Sequence, residues 1–250
     1  MTVYFIGAGP GAPDLLTLRG ADTLARCAVC LYAGSLVPGE MLERCPDGAE
    51  LIDTARMPLE DIISRIEVAH LSGLDVARLH SGDVSLYSAF AEQARRLDAL
   101  GVPYEVVPGV PAFAAAAASL GRELTVPEVG QSLLITRVST LSTDMPPGED
   151  LASLARTGVT LALHLAAHRA EALTNDLAPH YGVDCPVAVV AFASRPDERV
   201  VRCRLGDLPE QLAAEGITRT AVIFVGRVLD AEQFPDSYLY SAARTRGATH

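Results

Sequence analysis

Three glycines at alternate positions, Gly7, Gly9 and Gly11, stand between the apolar run 3–6 and a stretch with helical spacing from Asp14. Glycine lets a backbone approach a ligand closely, because it has no Cβ and adopts positive φ at little cost. The order strand, glycine loop, helix is typical of a turn that binds a dinucleotide, where the helix N-terminus receives a pyrophosphate. We therefore predict that residues 7–11 bind a ligand. The alternative is that the glycines only let a helix pack closely on a strand.

Two features of this region argue against an ordinary pyrophosphate turn. Pro10 and Pro13 have no amide N–H to donate to a phosphate. The second predicted strand ends at Tyr32-Ala33-Gly34, without the acidic residue that holds a ribose in dinucleotide-binding folds. An NAD(P)-dependent oxidoreductase is therefore the weaker alternative, with Ala12 as the third small residue of its turn.

Arginine supplies the basic side chains of this sequence. The 20 basic residues are all arginine, and 31 acidic residues bring the formal net charge to -11. The lack of lysine excludes a Schiff-base cofactor such as pyridoxal phosphate, a phosphate-binding Walker lysine and a lysine general base. The negative net charge argues against general binding to nucleic acid or to anionic membranes.

The number and spacing of the cysteines argue against a disulfide framework, and Cys27 and Cys30 are predicted to be buried structural residues. The cysteines are odd in number and scattered along the chain, which fits a reducing compartment. They are Cys27, Cys30, Cys45, Cys185 and Cys203. Cys27 and Cys30 have the spacing of metal ligands, but no second pair or nearby histidine completes a set. Asp53, His164 and His168 also lack a tight ligand spacing, so we predict no catalytic metal. Without a signal-peptide pattern or an apolar run of about 18 residues, we expect a cytoplasmic protein.

The order of the elements predicts two α/β domains. Strands alternate with helices over residues 1–121, which predicts a mainly parallel sheet with flanking helices. A second series of strands occupies 128–236, and a short turn at Ser194-Arg195-Pro196-Asp197 joins two of them, so the second sheet is predicted to be mixed. We expect the active site in the cleft between the domains. The polar tail 237–250 has little to bury and is expected to be flexible.

Ligands of open α/β sheets bind beyond the carboxyl ends of the strands. Two further glycine-containing segments, 81–83 and 108–110, follow predicted strands as 7–11 does, and we expect the three to meet. His80 and Tyr87 flank the second segment and are candidates to orient a substrate or move a proton, with a structural histidine as the alternative. Asp83 is a candidate to contact a cofactor amino group or, alternatively, to cap the next helix.

Together these segments resemble the tetrapyrrole methyltransferases of cobalamin and sirohaem biosynthesis, over nearly the whole chain. The resemblance rests on 3–11 with Leu15-Leu16-Thr17, on 82–87, on 108–110 and on Thr136-Arg137. Within the family, 31–37 and 121–125 are similar to the branch that methylates precorrin-4 at C11. The chain departs from the usual pattern in having Ala12 for Asp, Val84 for Pro and Pro111 for Ser.

The resemblance implies a homodimer that binds S-adenosyl-L-methionine and releases S-adenosyl-L-homocysteine. The cofactor contacts that it implies are Pro10, Ser81, Gly82, Asp83, Pro111, Ala112, Leu165, Ala193 and Ala221. A tetrapyrrole with several carboxylates would need guanidinium groups, which pair with carboxylates bidentately. The candidate substrate contacts are Gly9, Gly11, Arg19, Arg122 and Arg137. His80, Tyr87 and Arg137 are candidate catalytic residues.

A sulfonium methyl group is already activated, so such an enzyme mainly aligns a ring carbon with the methyl group and excludes water. Alignment alone contributes about 7 to 11 kcal/mol. Two alternatives remain beside the oxidoreductase: methylation at another position, such as C2, C17 or C20, and a tetrapyrrole carrier that binds without turnover.

Overall fold

The computed structural model describes residues 1–34, 36–139 and 144–237, which form two compact units. The first comprises Met1–Ala115 together with Ala193–Asp197, and the second comprises Ala116–Phe192 together with the residues from Glu198 onward. Except for Ser237, the predicted tail 237–250 lies outside the described residues.

A five-stranded parallel sheet forms the centre of the first unit, which confirms the predicted parallel sheet; its strand order is β3-β2-β4-β1-β5. Its strands are β1 (Val3–Gly7), β2 (Val29–Tyr32), β3 (Glu50–Asp53), β4 (Val76–His80) and β5 (Tyr104–Val107). Its helices are α1 (Leu18–Leu24), α2 (Gly39–Leu42), α3 (Leu59–Leu71), α4 (Phe90–Leu100) and α5 (Ala112–Leu120), the last of which continues into the second unit. All five residues of β1 are buried, as expected for a central strand of a parallel sheet.

Side-chain alternation along the strands divides the core of the first unit into two layers. Phe5 and Val76 face the layer that includes Ile66 of α3, whereas Ile6 and Ala77 face the layer on the other side of the sheet. Cys27 and Cys30 are fully buried in that second layer, which confirms their predicted burial. Within the described ranges, no group of three or more His, Cys, Asp or Glu side chains could hold a metal ion.

The second unit contains a mixed sheet, as predicted, and its strand order is β6-β7-β10-β8-β9. Its strands are β6 (Leu133–Arg137), β7 (Thr160–His164), β8 (Pro186–Ala191), β9 (Arg199–Arg204) and β10 (Ala221–Val225). β6 and β7 are parallel, whereas the pairs β7/β10, β10/β8 and β8/β9 are antiparallel. The helices are α6 (Leu151–Ala155), α7 (Ala170–Tyr181) and α8 (Leu208–Ala214), which contribute to a core that includes Leu173, Leu212 and Ile223.

The helix expected from Asp14 begins later. A short 3-10 turn spans Pro13–Leu15, and α1 begins at Leu18 with Thr17 as its N-cap. The Thr17 hydroxyl accepts a hydrogen bond of 3.1 Å from the N–H of Gly20, which satisfies one of the free amides of the first helical turn. Among the described helices, none is long and apolar enough to cross a membrane.

Candidate active site

The loops after β1 and β4 are hydrogen-bonded to each other at the carboxyl end of the first sheet. The N–H of Ala8 donates to the carbonyl of His80 over 2.7 Å. Gly9 and Gly82 exchange two backbone hydrogen bonds of 3.1 and 2.7 Å, so both of their N–H groups are already used. The two loops therefore form one backbone platform.

The loop after β5 approaches the same platform too closely for any side chain. A Cβ on Gly7 would lie 2.5 Å from the nitrogen of Gly109 and 2.8 Å from the carbonyl oxygen of Gly82. A Cβ on Gly109 would in turn meet the backbone of both other glycines. The first unit thus brings together the segments 7–11, 81–83 and 108–110 that lie at or just after the ends of β1, β4 and β5, which we call the first, second and third strand exits. Close backbone contact explains their glycines.

Asp83 links the second exit to the third. Its carboxylate accepts hydrogen bonds of 2.7 Å from the N–H of Gly109 and 2.9 Å from the N–H of Ser85. Partial burial alone would raise the pKa of Asp83, but the hydrogen bonds from Ser85, Gly109 and Val84 outweigh burial and lower that pKa. Asp83 does not cap α4, whose N-cap is Ala89, so the helix-cap alternative for Asp83 is wrong.

The remaining predicted cofactor contacts of the first unit lie beside these loops. A Cβ on Gly82 would be 3.6 Å from the nitrogen of Ala112 and 3.9 Å from the Cα of Pro111. A Cβ on Gly11 would be 3.5 Å from the carbonyl oxygen of Ala193, and the N–H of Ala12 donates to the Ser194 hydroxyl over 3.0 Å. Residues 7–12, 80–83, 109–112 and 193–194 therefore form one cluster.

His80 is a buried side chain, with 6% of its surface exposed. Burial lowers the pKa of His80 from 6.5 to about 3, and the nearby Arg78 charge adds a smaller decrease. A hydrogen bond with the Ser88 backbone acts in the opposite direction and raises the pKa. His80 Nε2 has no hydrogen-bond partner within the described part of the chain. The imidazole is therefore neutral near pH 7 and is not poised to donate a proton. Tyr87, in contrast, is 45% exposed.

Arg78 is a buried charge that was not among the predicted site residues. Its guanidinium donates to Gln93 Oε1 over 3.0 Å and to Thr54 Oγ1 over 2.9 Å, and 7% of the residue is exposed. Burial lowers the pKa of Arg78 to about 10, so the side chain stays charged at neutral pH. The signal was available: an arginine in an otherwise apolar strand, 76–79, where a charge needs polar partners.

The geometry does not support a dinucleotide turn. α1 begins only at Leu18, so its N-terminus does not follow Gly11 directly as a pyrophosphate site requires. Thr17 instead donates its hydroxyl to the carbonyl of Pro108 over 3.3 Å, which fixes the start of α1 to the third exit.

The second unit presents strained backbone at one edge of its sheet. Leu165 follows β7, Phe192 follows β8 and Thr220 precedes β10, and their φ angles are 53°, 53° and 52°. The register pairs Ala221 with Ala191, Ile223 with Leu163, and Arg137 with His164. All of these residues therefore lie at the same edge. Left-handed backbone costs a residue with a side chain about 1 to 2 kcal/mol, and such strain clusters at functional sites.

The candidate arginines are dispersed. Arg137 lies at the strained edge, where it donates to the carbonyls of Val138 and Asp144 over 3.0 and 3.2 Å. Arg122 lies toward the opposite end of the second sheet, near Val187 and Ala188 at the start of β8, and donates to the carbonyl of Ala231 over 3.1 Å. Arg19 is an exposed residue of α1.

The sequence model of the Tetrapyrrole (Corrin/Porphyrin) Methylases matches residues 2–209. The chain belongs to this family. Relatives of this tetrapyrrole methylase extend over its full length. A precorrin-4 C(11)-methyltransferase of Rhodococcus erythropolis is 63% identical over 250 residues and covers 100% of both chains. A cobalt-precorrin-4 C(11)-methyltransferase of Methanocaldococcus jannaschii is 42% identical, over 95% of this chain and 92% of the relative.

Solved structures confirm the two-unit α/β fold of this methylase. A cobalt precorrin-4 methyltransferase matches with a TM-score of 0.89 and 37% identity, over 92% of this chain and 96% of the other. A uroporphyrin-III C-methyltransferase from Thermus thermophilus, complexed with S-adenosyl homocysteine, matches with a TM-score of 0.75 and 29% identity, over 92% and 99%.

Proposed function

We propose that this methylase transfers the methyl group of S-adenosyl-L-methionine to C11 of precorrin-4, giving precorrin-5, in cobalamin biosynthesis. The observation that carries the proposal is the identity of 63% over the whole chain with a relative of that name. A second relative of that name, from Mycobacterium tuberculosis, is 61% identical over 98% of both chains.

The clustered loops fit the proposed cofactor. The three exits offer backbone groups and small residues, which suit a ligand held by main-chain contacts beside flat apolar walls. We propose that Pro10, Gly82, Asp83, Ala112 and Ala193 contact the cofactor, together with Ser81, Pro111, Leu165 and Ala221. Support for the choice of cofactor comes from the uroporphyrin-III C-methyltransferase that was solved with S-adenosyl homocysteine.

In this proposal, S-adenosyl-L-methionine supplies a methyl group that its positively charged sulfur already activates. The residues of this chain then need only to orient the reactants and exclude water. Asp83 positions the second and third exits, because its carboxylate oxygens already accept hydrogen bonds from Gly109 and Ser85. His80 is buried and stays neutral, so we assign it the structural role rather than proton transfer, since burial holds its pKa far below neutral pH. Tyr87 and Arg137 remain the candidates for direct contact with substrate.

The carboxylates of a tetrapyrrole would be bound by arginine. Arg137 is the best placed of the three candidates, because it lies at the sheet edge that carries Leu165 and Ala221. Of the predicted glycine contacts, Gly9 has its N–H and carbonyl paired with Gly82, which leaves Gly11 as the better candidate.

The cobalt-free substrate is favoured over the cobalt complex. The relatives named for precorrin-4 are 63% and 61% identical to this chain, whereas the one from Methanocaldococcus jannaschii that is named for cobalt-precorrin-4 is 42% identical. We further propose that the protein is a homodimer, which the family resemblance implies. We also propose that it is cytoplasmic, because its cysteines are free wherever the structure describes them. Light scattering after gel filtration tests the dimer.

Calorimetric titration of the purified protein with S-adenosyl-L-homocysteine tests the cofactor, with NAD and NADP in parallel. We expect saturable binding of the homocysteine compound and none of the nicotinamide nucleotides. Turnover is then measured with precorrin-4 and with cobalt-precorrin-4 at equal concentration. Binding of a nicotinamide nucleotide alone would refute the proposal. Binding of S-adenosyl-L-homocysteine without turnover of either substrate would contradict C11 methylation of precorrin-4 and favour a methyltransferase that acts on another tetrapyrrole.

A further inference from the structure

A cavity of about 270 Å³ lies in the second unit, away from the strained edge of its sheet. It opens where β8 begins and β9 ends, and its wall includes Arg122, Arg202, Cys203, Arg204, Asp207 and Asp230. Ala191 at the other end of β8 is five residue steps from Pro186 at this end, a distance of about 16 Å. The cavity therefore lies at the end of the sheet opposite to Leu165 and Ala221.

Three arginines line this cavity: Arg122 is half-buried, whereas Arg202 and Arg204 are exposed. Arg122 Nη1 donates to the carbonyl of Ala231 over 3.1 Å, and Arg202 Nη2 donates to the carbonyl of Leu120 over 3.0 Å. Arg204 Nη1 donates to Asp230 Oδ2 over 2.7 Å and to the carbonyl of Asp184 over 3.3 Å. Each of these contacts uses one nitrogen of a group that carries five N–H donors, so the side chains are held in place with donor capacity to spare.

Register places two of the arginines on one face of the sheet. Arg202 and Arg204 alternate with Cys203 along β9, so their side chains share a face. Arg202 pairs with Ala188 and Arg204 with Pro186 on β8, and neither partner is large enough to cover them. The small partners account for the open space beside the guanidinium groups.

The wall carries more positive than negative charge, in a chain with a formal net charge of -11. Three arginines face two carboxylates, and Asp230 is already paired with Arg204. Burial and the Asp207 charge raise the pKa of the Cys203 thiol to about 11, so no thiolate adds negative charge near neutral pH. Fixed guanidinium groups with spare donors recognise oxyanions bidentately.

We propose that this cavity binds a compact oxyanion, through Arg122, Arg202 and Arg204, as a second site distinct from the proposed methyl-transfer site. Its volume is below the usual range for drug-sized ligands, about 300 to 1,000 Å³, and suits a phosphate or one carboxylate group. The anion has two possible sources, free inorganic phosphate or the carboxylate of an organic acid. The proposal does not depend on the identity of the methylated substrate.

Calorimetric titrations with sodium phosphate and with sodium succinate test the site, at constant ionic strength maintained with sodium chloride. We expect saturable binding in the millimolar range or tighter. Phosphate binding alone assigns a phosphate site, and succinate binding alone assigns a carboxylate site; either supports the proposal. If neither anion binds saturably, the proposal is wrong.

The double variant R202Q/R204Q localises the binding. We expect it to weaken anion affinity at least tenfold, whereas Arg156→Gln, at an exposed arginine outside the cavity, leaves the affinity unchanged. Arg202→Gln alone repeats the test with a smaller change, if the double variant does not fold. Titration of the same variants with S-adenosyl-L-homocysteine separates this site from the cofactor site. Equal anion affinity in the wild type and the arginine variants would overturn the assignment.

Discussion

The carboxylate of Asp83 accepts a hydrogen bond of 2.7 Å from the backbone N–H of Gly109, across two loops that leave different strands of the first sheet. The same carboxylate accepts from the N–H of Ser85 within its own loop. One side chain therefore fixes the relative position of two of the three strand exits. This explains why the loops keep their arrangement although glycines supply much of their backbone.

Asp83→Asn should loosen this connection. An amide has one oxygen, so one of the two backbone N–H groups loses its acceptor, which costs about 1 to 3 kcal/mol. We expect a lower free energy of unfolding at pH 7 and weaker S-adenosyl-L-homocysteine binding, measured by urea denaturation and calorimetry.

The effect of Asp83→Asn should depend on pH. The lowered pKa of Asp83 means that its stabilisation is present above the ordinary aspartate pKa, about 3.9, and is lost as pH falls through the folded-state value. The difference in stability between wild type and variant should therefore shrink below about pH 4. A difference that stays constant from pH 7 to pH 3 would contradict the role of the ionised carboxylate.

Gly109→Ala should disrupt the junction of the three loops by sterics alone. The new Cβ would collide with the backbone of Gly7 and Gly82, which lacks the freedom of a side chain to move aside. Overpacking of this kind costs about 1 to 3 kcal/mol. Thermal unfolding and calorimetric titration should show both a lower Tm and weaker S-adenosyl-L-homocysteine binding.

Gly39→Ala is the matched control for that substitution. A Cβ there meets no atom within 4 Å, and Gly39 begins α2. Alanine should leave stability unchanged or raise it by up to about 1 kcal/mol. If the two variants behave alike, close backbone approach is not the reason for the glycine at position 109.

The arrangement of the three exits was predictable from the sequence, because Gly7, Gly82 and Gly109 each lie at or just after the end of a predicted strand, and parallel strands share one edge for their carboxyl ends. The contact of Arg78 with Thr54 and Gln93 was not predictable from the sequence, since it joins segments that only the fold brings together. The start of α1 was placed too early because apolar spacing continues through Pro13–Leu15, where the chain forms a 3-10 turn.

His80 should make the stability of the fold depend on pH below neutrality. Its folded-state pKa of about 3 lies below the ordinary value of 6.5, so its neutral form stabilises the fold above pH 6.5. That stability is lost as pH falls from 6.5 toward 3, by about 1.4 kcal/mol per pH unit. His80→Phe removes the titrating ring, so the difference between wild-type and variant unfolding free energies should change with that slope between pH 6 and pH 5. Parallel curves would show that the imidazole is not held neutral by burial.

Thr220→Asn should relieve strain at the edge of the second sheet. A β-branched residue at a φ of 52° is unfavourable, whereas asparagine tolerates left-handed backbone. Thr220 is exposed, and its carbonyl, which accepts from the N–H of Phe192 over 2.9 Å, is kept. We expect a gain of about 1 kcal/mol in the free energy of unfolding by denaturant titration. Thr218→Asn, at an exposed residue without positive φ, should show no gain; an equal gain there would refute strain as the cause.

The position of methylation is the central claim, and isotopic labelling tests it most directly. The protein is incubated with precorrin-4 and S-adenosyl-L-methionine that carries a ¹³C-labelled methyl group, and carbon NMR of the product locates the label. We predict a single labelled methyl group on C11. A label on C2, C17, C20 or any other ring position would contradict the proposed function while leaving the family assignment intact.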